Sequence, residues 1–100
     1  MAPHSKISEE KLNLVSKDIS DRIKKIHIKS PKMLLSALCE RPNMGLTEVR
    51  RDGKDSNAVV AIVKHEFERC KDLEYIDLAN HMVPFASACW VSRDNLVYVH

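Results

Sequence analysis

The chain has 100 residues, 44% of them hydrophobic, with two glycines and four prolines, which suits one small domain with a single core and excludes a low-complexity chain. Sixteen Lys and Arg against fourteen acids leave a net charge of +2 and a pI near 8.5, below the value of about 9 that marks dedicated nucleic-acid domains. The longest apolar run falls far short of the roughly 20 residues that cross a bilayer, so no membrane is expected.

Residues 1–7 are expected to be a disordered N-terminus, and 8–100 a single domain. Within it, "SEEKLNLVSKDISDRIKKIHI" predicts an amphipathic helix over 8–28. Ser8 is placed to cap it, and the two acids that follow suit the positive end of the helix dipole. Leu12, Val15, Ile19, Ile23 and Ile26 recur at spacings of three, four, four and three, which draws one apolar stripe.

Ser30 before Pro31 marks a second helix start, because proline pre-sets the backbone of the first helical position. That helix, about Pro31 to Glu40, carries Leu34, Leu35 and Leu38 and should stop ahead of Pro42. "NMGLTEVRRDG" predicts a turn at Asn43–Gly45 and a short third helix with Thr47 as its cap. Gly53 is read as its stop. A longer helix starts afresh at Asp55 or Ser56, with Val59, Ile62, Val63, Phe67 and Cys70 at helical spacing; residues 31–72 thus form a helical core. Asp72 to Met82 fits either helix or short strand.

At the end of the chain, "FASACWVSRDNLVYVH" holds two β-prone runs around a polar turn at Ser92–Asn95. These predict a hairpin over 85–100, Phe85 to Val91 pairing with Leu96 to His100. A strand that stops without a tail suggests a domain cut from a longer protein.

Helices followed by a hairpin, with "GLTEV" at the junction, give residues 31–100 an element order that resembles the winged-helix domains. The fold class expected is therefore α+β, mostly helical and winged-helix-like, with 8–28 as an added helix. A different α+β helix arrangement is the other option. The resemblance implies nucleic-acid binding through the longer helix. Glu66, Glu68 and Asp72 on or beside that helix argue against it, since acids there would face a polyanion.

The motifs of catalysis are missing: there is no glycine-rich phosphate loop, no His-Glu-x-x-His and no nucleophile elbow. The three cysteines, Cys39, Cys70 and Cys89, are widely spaced, no signal peptide is visible, and reduced thiols in a cytoplasmic or nuclear protein follow. Structural zinc wants closely paired ligands, whereas His65 and Cys70 are five apart. No metal or other cofactor is expected.

Charge runs along the chain, from +3 over residues 1–30 through +1 over 31–60 to −2 over 61–100. The reading that fits best is a non-enzymatic module for protein–protein interaction or oligomerisation. Its candidate contacts are the stripe Leu12, Val15, Ile19, Ile23 and Ile26, with Trp90 and Tyr98 on the hairpin. The alternative is a DNA- or RNA-binding domain holding phosphates with Lys24, Lys25, Arg50, Arg51, Lys54 and Lys64. A weaker one is a regulatory domain of a larger enzyme.

Overall fold

The structure is a computed structural model that describes residues 2–43 and 53–96, with side chains over 9–43 and 56–92. Among these residues the chain forms α1 (Ala2–Lys25), α2 (Pro31–Cys39), α3 (Gly53–Cys70) and α4 (Tyr75–Leu96), and no strand. Helices α2 and α4 touch each other and both of the others, whereas α1 and α3 do not approach one another among the described residues. The core runs through that arrangement. Val15 and Ile19 of α1, Leu34 and Leu38 of α2, Val59, Val63 and Phe67 of α3, and Leu78, Met82, Ala86, Trp90 and Val91 of α4 are buried together.

Helix α1 begins at Ala2, ahead of the cap expected at Ser8, and Ser8 lies inside it. Pro3 does not prevent this, because the first turn needs no donor from it. The helix closes with Arg22, Lys24 and Lys25 in its last turn, where cations suit the negative end of the dipole. Two residues past its end, His27 has a left-handed backbone at φ 47°. The second helix starts as the sequence predicts: the Ser30 hydroxyl accepts from the Met33 N–H at 3.4 Å, with proline following the cap.

The α+β, winged-helix-like reading is overturned by α4. Phe85 to Val91, read as the first strand of a hairpin, is helical, and the helix continues through the expected turn to Leu96. Burial shows why. A strand would bury alternate residues, whereas here Ala86, Ser87, Trp90 and Val91 are covered and Ala88 is exposed. With Leu78 and Met82 the buried positions recur every four residues, the helical spacing. Pro84 lies within this helix. Gly53, expected to stop a helix, is instead the first residue of α3, and Asp55 and Ser56 lie within that helix. The short helix and Thr47 cap expected near 46–52 fall outside the described residues, as does the strand-like run after Leu96.

No helix among the described residues is long and apolar enough to cross a membrane.

Candidate functional site

Two features of the surface have the chemistry of a site. The first is a cleft of about 590 Å³ where the end of α1, the turn into α2 and the α3–α4 connection meet. Its apolar lining comes from Ile23 and Ile28 on one side and Leu73, Tyr75 and Leu78 on the other. Leu73 and Tyr75 are each 46% exposed, so this is apolar surface that the fold leaves accessible. Every charged residue on the lining is a cation: Lys24, Lys29 and Lys71. Lys71 is held at 3.0 Å by Glu68; Lys24 and Lys29 are not within ion-pair distance of any described carboxylate. His27 lines the cleft as well, so the left-handed residue stands at its edge.

The second feature ties α3 to α4. Glu66 of α3 is 12% exposed at its side chain, and its two carboxylate oxygens divide their partners. Oε1 accepts from Arg69 Nη1 at 2.6 Å. Oε2 lies 2.7 Å from His81 Nε2 and accepts from the Cys70 thiol at 3.5 Å. Hydrogen bonds from His81 first, then Arg69 and, more weakly, Cys70 hold the Glu66 carboxyl down at about 2. It is therefore ionised at neutral pH and only accepts, so His81 Nε2 carries the proton between them. The His81 ring stacks on Phe85 with centroids 6.0 Å apart. Burial and the nearby Glu66 push the Cys70 thiol up, so it too stays protonated.

The residues singled out in the sequence are scattered by this fold. Val15 and Ile19 are fully buried, and Leu12 and Ile23 pack partly against the core. The stripe is thus used within the chain, with Ile26 at its end 36% exposed. Trp90 is 2% exposed, and its indole N–H donates to the Leu38 carbonyl at 3.3 Å. Tyr98, Arg50 and Arg51 lie outside the described residues, and Lys54 is described only as a backbone position of α3. Lys24 and Lys25 end α1, whereas Lys64 is exposed on α3, close enough to Cys39 at the far end of α2 to influence its thiol. These cations thus sit on two helices that do not touch one another among the described residues, and the structure does not gather them at one element.

Sequence reasoning missed both features. Glu66 and Cys70 are four apart on one helix, a spacing that puts them on one face, but His81 joins them only through the packing of α4. The cleft is assembled from two inter-helix connections, which have no periodicity to read. No protein-family model matches the chain, and no match is found among curated proteins or solved structures.

Proposed function

We propose that this chain is a non-catalytic protein-interaction domain whose cleft receives an acidic segment of a partner with apolar anchor side chains. The observation that carries this reading is the lining itself: exposed apolar side chains surrounded by Lys24, Lys29 and Lys71, with no carboxylate among the lining residues. Apolar anchors in a concave site supply affinity, and cations at the rim select charge and speed encounter. His27 stands on the same lining, between Lys24 and Lys29 in sequence, and adds a polar group to the cationic rim.

A peptide-display selection on the intact chain tests the reading. Enriched sequences should combine Asp or Glu with Leu, Ile or Phe. A Lys24→Glu, Lys29→Glu variant should bind them at least about tenfold more weakly, and wild-type binding should weaken with salt. Peptides that bind the variant as well as the wild type would place recognition elsewhere. If short DNA or RNA oligonucleotides bind and the same variant abolishes it, while no peptide is enriched, the cations serve phosphate instead.

A further inference from the structure

We propose that Glu66, Cys70 and His81 form a zinc-binding site bridging α3 and α4. One potential ligand atom from each, a carboxylate oxygen, the thiol sulfur and a ring nitrogen, lies within 4.8 Å of the other two. Zinc bonds of roughly 2.0–2.3 Å in tetrahedral geometry set neighbouring ligand atoms about 3.2–3.8 Å apart. The 3.5 Å between Oε2 and Sγ already meets that requirement. The 2.7 Å between Oε2 and Nε2 must open by roughly half an ångström to meet it. His81 is 43% exposed and has room for that small rotation.

The donor set selects the metal class. One imidazole, one thiol and one carboxylate suit zinc or its analogue cobalt, whereas calcium and magnesium want cages of oxygen. Two protons now fill the space a cation would take: the thiol proton of Cys70 and the Nε2 proton of His81, both directed at Oε2. Zinc takes the place of both: the Cys70 thiol releases its proton to solvent, and a neutral His81 shifts its proton from Nε2 to Nδ1 while an imidazolium releases the Nε2 proton, which leaves a thiolate and a neutral imidazole as ligands. Arg69 on Oε1 and Phe85 against the His81 ring fix two of the three ligands in orientation, as outer partners do in metal sites. The Arg69 charge opposes a cation, and the protein supplies three ligands with the fourth position open to solvent. Affinity is accordingly below that of a closed four-ligand site.

The test uses the reduced, chelator-treated chain with Zn²⁺ or Co²⁺ alone as probe. One equivalent of Zn²⁺ per chain should bind in competition with a chromophoric chelator, and Ca²⁺ at the same concentration should not. Co²⁺ should give a thiolate-to-metal charge-transfer band. Both signals should survive in a Cys39→Ala, Cys89→Ala variant, which leaves Cys70 as the sole thiol. Cys70→Ser and His81→Gln should each weaken binding by about tenfold or more, with helix content checked by circular dichroism. Absence of the charge-transfer band in wild type, or its loss when only Cys39 and Cys89 are replaced, would overturn the proposal whether or not the ligand variants fold.

Discussion

Arg22 of α1 closes the end of α2: its Nη1 donates to the Ala37 carbonyl at 2.7 Å and to the Glu40 carbonyl at 3.0 Å. The last carbonyls of a helix have no partner within it, and here a neighbouring helix supplies one. Asp18 holds the guanidinium in place, accepting from Nη2 at 2.8 Å while also receiving the Asn43 N–H at 3.2 Å. One side chain thus fixes the α1–α2 angle and the exit of the chain past Pro42. Replacing it strips several charged hydrogen bonds from a group whose side chain is only 17% exposed. Arg22→Ala is expected to cost about 2–3 kcal/mol, read as a fall in Tm of about 4–8 °C per kcal/mol. Arg22→Lys should recover less than half, because one ammonium nitrogen cannot keep both carbonyls and Asp18, which Nη1 and Nη2 of the guanidinium serve separately. A loss below about 0.5 kcal/mol for the alanine variant would show that the carbonyls are served equally well by water.

Pro84 sits inside α4 and is exposed, and it can offer no N–H to the carbonyl of Asn80. Ser87, one turn on, directs its hydroxyl to the Val83 carbonyl at 2.7 Å, a local bond of the kind that accompanies bent helices. Pro84→Ala restores the missing helical bond at little loss of packing. An interior proline is about 3 kcal/mol worse than alanine, and the looser unfolded chain of the variant offsets part of the gain. The net expectation is a stabilisation of about 1–2 kcal/mol by chemical denaturation. A destabilised variant would mean that Pro84 is needed to seat Trp90 against the Leu38 carbonyl.

Much of the first three helices was legible, and the reasons are local. The stripe of α1 needed only its own spacing, and the Ser30–Pro31 pair marks a helix start by backbone chemistry alone. Helix α4 was not legible because it packs against all three other helices, so apolar residues occur on several of its sides. Val83, Phe85 and Cys89 lie partly against the core beside the fully buried Met82, Ala86 and Trp90. In sequence that reads as a continuous apolar run, which periodicity alone does not assign to strand or helix. The β-prone residues of that run and the Ser92–Asn95 turn signal then tipped the reading toward a hairpin. The Glu66–Cys70–His81 cluster was hidden for a related reason. His65 was weighed as the histidine partner of Cys70, yet it is exposed, while His81 arrives from α4.

The α1 stripe gives the clearest division between core and interface. Ile19 is fully buried, against the 69% exposure of Ile76 on α4. Ile19→Ala should cost about 2–4 kcal/mol through lost burial and a residual cavity, with no change in the mass measured by light scattering. Ile76→Ser should stay within about 0.5 kcal/mol. If Ile19→Glu remained folded and turned an oligomer into a monomer, the stripe would belong to a contact between chains.

Cys39 provides a pH dependence. Burial pushes its thiol up from the ordinary value of 9.0, against a smaller opposing pull from Lys64. Below pH 9 the thiol is protonated in both folded and unfolded chains, and its contribution is complete. As pH rises past 9 the unfolded chain releases the proton first, so stability falls until the folded thiol ionises as well. Because Cys39 is only partly buried, the slope should be a fraction of the about 1.4 kcal/mol per pH unit that one whole proton gives. Denaturant titrations between about pH 8 and pH 10.5 should show a shallower decline for Cys39→Ala than for wild type. Parallel curves would assign the alkaline loss to other groups.

His27 tests how the cleft and the fold share one residue. Its φ of 47°, two residues past the end of α1, lies in the left-handed region, where a side chain with a Cβ is disfavoured and glycine is the usual occupant. His27→Gly relieves that strain, and the freer unfolded chain returns part of the gain, leaving an expected stabilisation of about 0.5–1 kcal/mol. The same substitution removes the imidazole from the cleft edge between Lys24 and Lys29. Stability and binding should therefore move in opposite directions, with a higher Tm and weaker capture of the acidic peptides selected on wild type. His27→Ala separates the two effects: it removes the ring, keeps the Cβ and should weaken binding with no gain in stability. A His27→Gly chain that is both more stable and an equal binder would show that the histidine serves neither the cleft nor the turn.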